Sequence, residues 1–261
     1  QVYNIQNDNV VIDTDLYKFE SDDSFPRPLT SVGFSRSDIE FKGINYNKSE
    51  TIYSNRRVLT TENNVTIESS FNNLEEGNYR FTVDINGENT KSLDFGIKHS
   101  YYPSVVSAKN LIEPLSLLMN QKEYDELEQI SSQVEMKKEI DKFWLSNIQS
   151  KSKAKQVIEL FYERVEEANK LFSTFKEGWK TDQGMMYILF GPPFIIDKTS
   201  TSLIWSYSTN RYDPRTNFSF YEPQTKIIYY GFKHYIIVRS QSYHNIYYEQ
   251  IQRWKKGWSR I

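Results

Sequence analysis

The first hundred residues alternate between apolar and polar positions over short stretches. Phe81, Val83 and Ile85 occupy every second position of one stretch, which places them on one face of a half-buried strand. Asn86 and Gly87 come directly after it, a pair that suits a tight hairpin turn. Other short runs rich in β-branched and aromatic residues predict strands at 10–12, 58–60, 65–67 and 93–97.

A loop that leads into a strand beginning with tyrosine occupies residues 74–79. It resembles the corner between two strands of many immunoglobulin-like domains. Together with the closely spaced antiparallel strands, it predicts an all-β immunoglobulin-like sandwich over residues 1–98.

After about Ser107 the spacing of apolar residues changes to that of helices. Asn120 and Glu123 lie three residues apart, and so do Ser132 and Glu135. This is the spacing of capping boxes, in which each side chain satisfies a free backbone donor of the other residue. We therefore expect one helix to begin at each pair.

A longer helix is predicted over residues 152–176, where apolar residues form one continuous stripe. Such a stripe normally packs against a protein surface. Gly178 follows the stripe and is placed to end the helix. These patterns predict a helical connector over residues 99–177.

The last part of the chain, residues 178–261, mixes strand and helix patterns. A closing helix is predicted over 243–256, since Tyr243, Tyr247, Ile251 and Trp254 fall on one helical face. Strands are predicted at 185–190, 203–207, 217–222, 226–230 and 234–239. Because the strands are grouped rather than alternating with helices, we expect an α+β domain with an antiparallel sheet.

Composition indicates a folded chain. Hydrophobic residues make up 38% of 261, charged residues 25%, and there are 19 Tyr, 16 Phe and 5 Trp, enough apolar surface to offset chain entropy. The absence of Cys excludes disulfides and thiolate catalysis. No run reaches the roughly 20 apolar residues of a membrane helix. The sequence begins at Gln1 without an initiator Met and without the basic segment and apolar run of a signal peptide, so we expect a mature or truncated chain.

Charge is distributed unevenly along a chain whose formal net charge is −2. Residues 1–98 carry a net −6, residues 99–177 a net −2 and residues 178–261 a net +6. The overall balance and a pI of about 6.0 argue against a nucleic-acid partner. The basic last part is suited either to the acidic first part or to an anionic partner.

The sequence contains no recognisable catalytic or metal-binding motif. The three His residues show no metal-ligand spacing, and the Asp-rich segment at 13–15 lacks the glycine and terminal glutamate of a calcium loop. Nucleophile-elbow, phosphate-loop and dinucleotide fingerprints are also missing. The sequence therefore predicts no cofactor, no metal site and no catalytic residue.

The most distinctive passage is Gly-Trp-Lys-Thr-Asp-Gln-Gly at 178–184, followed by an apolar run that ends in Gly-Pro-Pro at 191–193. It resembles the GWxTD-domain family of bacterial envelope proteins, over about residues 101–261. Gln183 and Met185 depart from the family, which commonly has basic residues there. Further matching features are Phe143, Trp144, Ile204, Trp205, Ser206, Tyr207, Trp254, Lys255 and Gly257.

The resemblance implies a Bacteroidota-type exported protein or lipoprotein of unassigned activity. It implies an extracytoplasmic location, periplasmic or associated with the outer membrane, and a lipid anchor that would precede Gln1. It supplies no catalytic residues.

Two interpretations of the motif remain open. In the first, it joins a helix to a strand: Gly178 and Gly184 adopt positive φ, and Trp179 folds back over the helix end. Thr181 and Asp182 then accept hydrogen bonds from backbone N–H groups one to three residues on.

In the second interpretation, Asp182 is a general base or a cation ligand next to Thr181. An aromatic wall of Trp179, Trp205 and Tyr207 would stand beside it. A catalytic Asp needs a positioned partner, and the sequence shows none.

A basic, tyrosine-rich surface is the other candidate binding site. Tyr229 and Tyr230 are adjacent on a predicted strand, so at least one faces away from the core. Arg239 and Arg253 lie near them in sequence. Tyrosine and arginine together favour a protein interface.

We expect a non-enzymatic envelope protein whose C-terminal domain binds a protein partner, as a component or accessory of an outer-membrane assembly. The first alternative is a carbohydrate-binding module that stacks sugars on exposed aromatic residues. The second is a hydrolase that uses an acidic residue such as Asp182.

Overall fold

The structure, a computed structural model, describes residues 2–3, 10–21, 44–59, 65–87, 90–208, 216–222 and 231–257. The chain forms two compact units. The described residues up to Ser100, together with Gly231 and Phe232, belong to the first unit. All other described residues, from Tyr101 onward, belong to the second.

The first unit contains six described strands: β1 (Val2–Tyr3), β2 (Val10–Ser21), β3 (Ile44–Leu59), β4 (Val65–Thr66), β5 (Gly77–Ile85) and β6 (Lys91–Ile97). Four of them form an antiparallel sheet with the order β3-β2-β5-β6, and β1 pairs with β4 in a separate ladder. A small core contains Val10, Ile12 and Val83, with Phe81 and Ile85 packed against them. This confirms the predicted apolar face of β5.

The predicted hairpin turn follows β5. Asn86 and Gly87 have φ values of 57° and 74°, the left-handed region that such turns require. The Asn86 amide N–H donates to the Val11 carbonyl at 2.9 Å, and the Val11 amide donates to the Asn86 side-chain oxygen at 2.8 Å. The turn is thus held by the neighbouring strand.

An immunoglobulin-like sandwich is not confirmed for this unit. Such a fold packs two sheets face to face, whereas the described part of the unit contains one four-stranded sheet and a two-stranded ladder. The predicted tyrosine corner does form: the Tyr79 hydroxyl donates to the Glu75 carbonyl at 2.8 Å.

The described part of the second unit is a mixture of helices and one antiparallel sheet, as predicted for the C-terminal part. The strands are β7 (Ile195–Lys198), β8 (Ser202–Ser206), β9 (Asn217–Tyr221) and β10 (Ile236–Ile237). They pair in the order β10-β9-β8-β7. The helices are α1 (Ala108–Leu115), α2 (Gln121–Glu128), α3 (Gln133–Asn147), α4 (Lys151–Phe172), α5 (Asp182–Phe190) and α6 (Gln241–Lys255).

Sequence signals located most helix starts in this unit. Asn120 and Glu123 form the expected reciprocal capping box of α2, and the Ser132 side chain accepts from the Glu135 amide at the start of α3. The predicted long helix is present as α4, but it ends at Phe172 rather than at residue 176. Gly178 therefore lies outside it.

Strand prediction was less accurate. The strands predicted at 203–207 and 217–222 are present as β8 and β9, each ending one residue earlier than predicted, while 234–239 contains only the two-residue β10. The strand predicted at 226–230 lies outside the described residues. Residues 185–190 are not a strand but the body of α5. A short apolar run fits a buried helix as well as a buried strand, and the pattern alone does not separate them.

One hydrophobic core joins the helices and the sheet of the second unit. It includes Trp144 of α3, Phe161 of α4, Trp205 of β8 and Trp254 of α6, each at most 1% exposed. The predicted stripe of α6 is confirmed, because all four of its residues are buried. Of the helices in the described ranges, none has both the length and the apolar character needed to cross a membrane.

Tyr79→Phe tests the corner of the first unit. The Tyr79 ring stacks on Phe95 and is 2% exposed, so the change keeps the packing and removes only the hydroxyl. Since the Glu75 carbonyl loses its donor, we expect the free energy of unfolding to fall by about 1 kcal/mol in urea denaturation. Tyr248→Phe, at a 62% exposed ring, is the control. Equal decreases in the free energy of unfolding of the two variants would show that the Tyr79 hydrogen bond does not stabilise the corner.

Candidate functional site

The motif at 178–184 is a buried bend between two helices. After α4, residues Gly178–Lys180 form one turn of 3₁₀ helix, and Thr181 is the N-cap of α5. Apart from Gln183, which is half-buried, every residue from 178 to 184 is buried. The motif therefore joins helix to helix, and not helix to strand.

Both motif glycines allow close packing of backbones. Neither has positive φ, contrary to prediction. A Cβ atom on Gly178 would lie 1.9 Å from the carbonyl oxygen of Ala168 in α4, and one on Gly184 would lie 1.9 Å from the carbonyl oxygen of Gly178. The left-handed residue is instead Gly191, with φ 81°, which ends α5.

Thr181 connects the bend to the helix. Its hydroxyl donates to the Gly178 carbonyl at 2.7 Å and accepts from the Gly184 amide at 3.0 Å. The second bond confirms the prediction that Thr181 accepts from a nearby backbone N–H. It satisfies one of the amides that the first turn of a helix leaves free.

Asp182 reaches a distant strand. One carboxylate oxygen accepts from the Ile237 amide of β10 at 2.9 Å, and the other accepts from the Arg239 guanidinium at 3.0 Å. The prediction of local turn bonds was wrong for this residue, because its side chain points away from the bend. Its negative charge also lies in the first turn of α5, where the helix dipole favours it.

Buried tyrosines surround the Asp182–Arg239 pair. Burial alone would lower the pKa of Arg239, but Asp182, with smaller contributions from Tyr243 and Tyr247, raises it above its usual value. Burial raises the pKa of both tyrosines, so their phenols stay neutral. The ion pair is therefore largely buried, with the Arg239 side chain 22% and the Asp182 side chain 9% exposed.

Trp179 and Lys180 belong to a second polar cluster. The Trp179 indole N–H donates to Glu177 at 2.8 Å, and its backbone N–H donates to the Asn169 side chain of α4 at 3.1 Å. The Lys180 ammonium lies 3.4 Å from Glu177, 4.0 Å from Glu113, and over the Trp179 ring. Sequence analysis missed Lys180, although the three-residue spacing from Glu177 was a signal for the pair.

The C-terminal end of α5 is held by three side chains. Arg164 donates to the Ile188 carbonyl at 3.1 Å. The Trp254 indole N–H and the Gln250 amide both donate to the Leu189 carbonyl, at 2.9 and 2.7 Å. These donors satisfy carbonyls that a helix end leaves free. Sequence analysis did not identify Arg164 or Gln250.

The other predicted residues have partners elsewhere. Trp205 packs against Phe172 and Phe220. The Tyr207 hydroxyl donates to the Gly191 carbonyl at 3.1 Å. Trp205 is buried and Tyr207 is partly buried, and both pack with the core rather than forming an exposed aromatic wall.

The predicted basic surface is not assembled by the described residues. Arg239 is bound to Asp182, and Arg253 donates to Glu249 at 2.6 Å, one turn earlier on α6. Tyr229 and Tyr230 lie outside the described residues. Within the described ranges there is also no group of three or more acidic, His or Cys side chains able to hold a metal ion.

These contacts define an α+β protein whose central helix, α5, is fixed at both ends by side chains from the motif and its surroundings. The family model of the GWxTD domain matches residues 66–256, well over half of the chain. The chain belongs to this family. The match begins inside the first unit, earlier than the resemblance over 101–261 indicated. No curated protein and no solved structure matches the chain.

Gly178→Ala and Gly184→Ala test the close packing. In a helix alanine is intrinsically favoured over glycine by up to about 1 kcal/mol. If the space next to Gly184 were empty, Gly184→Ala would therefore stabilise the protein. We expect instead a loss of at least about 2 kcal/mol for each variant, measured by thermal denaturation, because backbone atoms occupy the space.

Gly96→Ala is the control for both. Its φ is not positive, and its nearest neighbour is a side-chain atom at 3.2 Å. We expect a change below about 1 kcal/mol. Melting temperatures of the motif variants that match or exceed that of Gly96→Ala would refute close packing as the reason for the glycines.

Asp182→Ala tests the tie between α5 and β10. It leaves the Ile237 amide and Arg239 without their acceptor, so we expect a loss of about 3 kcal/mol in urea denaturation. Adding Arg239→Met should restore part of it, since no unpaired buried cation then remains.

Asp13→Ala provides the matched control. Like Asp182, Asp13 accepts two hydrogen bonds, but both come from Arg56, whose side chain is 72% exposed. Exposed pairs contribute little to stability, so we expect a clearly smaller loss. Similar losses for Asp13→Ala and Asp182→Ala would show that burial of the motif pair is unimportant.

Proposed function

We propose that this chain is a cell-envelope protein that acts by binding a protein partner through its second unit, as a component or accessory of an outer-membrane assembly. Membership of the GWxTD-domain family supports the envelope location, including a lipid anchor that would precede Gln1. The binding role is supported by the surface of the second unit.

The motif itself is used for folding. Its side chains at Trp179, Lys180, Thr181 and Asp182 all have partners inside the protein. Both carboxylate oxygens of Asp182 are engaged, which argues against the hydrolase that relied on this residue. A binding function is therefore sought on the surface.

The observation that carries the proposal is an apolar surface at β7. Ile196 pairs with Trp205 across the ladder, so both side chains leave the sheet on the same face. Trp205 is 1% exposed, whereas Ile196 is 55% exposed. Phe194, which directly precedes β7, is 76% exposed. The apolar face of the sheet thus continues from the core into solvent.

An apolar patch of this kind favours a protein partner. Scattered exposed hydrophobic residues are normal, but two large ones within three residues, at the edge of a core face, are typical of interaction sites. Among the described strands β7 pairs only with β8, which makes it an edge strand. A partner strand added at this edge would gain backbone hydrogen bonds and cover both side chains.

For the first unit we propose an immunoglobulin-like module, supported by the tyrosine corner and the antiparallel sheet. The carbohydrate-binding alternative relied on Tyr229 and Tyr230, outside the described residues. The exposed side chains of the β7 surface are Phe194, Ile196 and Lys198, an apolar pair with one cation rather than a set of polar groups for sugar hydroxyls.

The double substitution Phe194→Ser with Ile196→Thr tests the proposal. Threonine keeps strand propensity, and neither native side chain is buried, so the melting temperature should stay within a few degrees. We expect recovery of a stoichiometric partner with the tagged full-length protein, purified from its native envelope, to fall at least about tenfold.

Val134→Ser with Leu171→Ser is the control pair. These side chains are 66% and 61% exposed and lie on α3 and α4. Their recovery of the partner should match the unsubstituted protein. The proposal fails if no partner exceeds the background of an untagged strain, or if the β7 and control variants retain the partner equally.

A further inference from the structure

A groove of about 370 Å³ lies between α2 and α3. This volume is within the range of sites that bind ligands. The lining consists of apolar residues at the base and charged or polar residues at the edges: Met119, Glu123, Glu126, Leu127, Ile130, Glu139, Lys142, Phe143, Ser146 and Asn147.

The base of the groove continues the core of the second unit. Met119 and Leu127 are buried members of that core, and Ile130 and Phe143 are partly buried against it. An occupant with apolar side chains would cover the part of this surface that water now contacts. Removing this apolar surface from water would favour the complex.

The edges of the groove are predominantly acidic. Three glutamates and one lysine line it. Glu139 is paired with Lys142 at 2.9 Å, and Glu123 lies 3.6 Å from Lys255 of α6. The only ion-pair partner of Glu126 within the described ranges is Lys122, at 3.9 Å with its side chain 88% exposed. The whole of α2 carries a net charge of −3.

We propose that this groove binds an amphipathic helical segment of another protein, with apolar residues on one face flanked by Lys or Arg. The apolar base accepts the apolar face, and the acidic edges accept the cations. Glu123 and Glu126 are one helical turn apart, the spacing at which a second helix presents consecutive basic side chains. The groove is a site separate from the β7 surface and goes beyond the function proposed above.

A synthetic peptide provides the direct test on the full-length protein. The probe is a fluorescein-labelled peptide of leucine and lysine, about 14 residues long, with leucines at i, i+3, i+4 and i+7. Its control has glutamate in place of every lysine. By fluorescence anisotropy we expect micromolar binding of the lysine peptide, weaker at high salt, and at least about tenfold weaker binding of the glutamate peptide.

Two variants locate the site. Glu126→Lys reverses a charge at the edge and should weaken binding about tenfold. The matched control is Glu159→Lys on α4: Glu159 also pairs with a lysine four residues before it, at 3.7 Å, and is 64% exposed. This control should stay within about twofold of the unsubstituted protein, because it changes the net charge equally outside the groove.

Ser146→Phe places a ring in the groove and should abolish binding. Ser152→Phe, at another exposed helix serine on α4, should have no effect. All four variants replace exposed side chains, so their melting temperatures should match.

The proposal is overturned if the lysine peptide does not bind, or if the glutamate peptide binds as tightly. It is also overturned if Glu159→Lys weakens binding as much as Glu126→Lys, or if Ser146→Phe binds normally. None of these outcomes alters the test at β7, which uses other residues and another readout.

Discussion

The backbone groups at the ends of α5 have to be satisfied without water, because the helix is enclosed by the rest of the second unit. Met185, Met186, Ile188 and Leu189 are each at most 1% exposed. A buried amide or carbonyl without a partner costs about 1–3 kcal/mol. The surrounding elements supply the partners: the bend caps the first turn, and α4 and α6 donate to the last carbonyls. The positions of these elements follow from this requirement.

The same requirement explains the residue types of the motif. Gly178 and Gly184 let the bend approach α4 and α5 more closely than a methyl group permits. Thr181 caps the helix, and Asp182 uses its charge to hold β10, 55 residues further on. Trp179 fixes the bend to α4 through Asn169. The motif is thus a set of folding contacts, and a sequence match through it identifies a fold before it identifies an activity.

Local signals in the sequence predicted local structure well. The capping box at Asn120, the hairpin turn at Asn86 and the apolar face of α6 depend on residues within a few positions of each other. Contacts between distant segments were not predictable in this way. The partner of Asp182 lies on another element, and the backbone that Gly178 approaches belongs to α4. The apolar run of α5 was assigned to a strand because burial on all sides removes the helical period.

The side chains that stabilise α5 are different from the exposed side chains at β7 and in the α2–α3 groove. At the motif, any loss of binding in a variant is mixed with loss of stability, since the same side chains hold α5 in place. At β7 and in the α2–α3 groove the exposed side chains contribute little to the core, so changes there test the proposed recognition with little effect on folding. The Phe194 side chain is 76% exposed, so its burial contributes little to the stability of the fold. A large apolar side chain kept in solvent is stabilised only when a partner covers it.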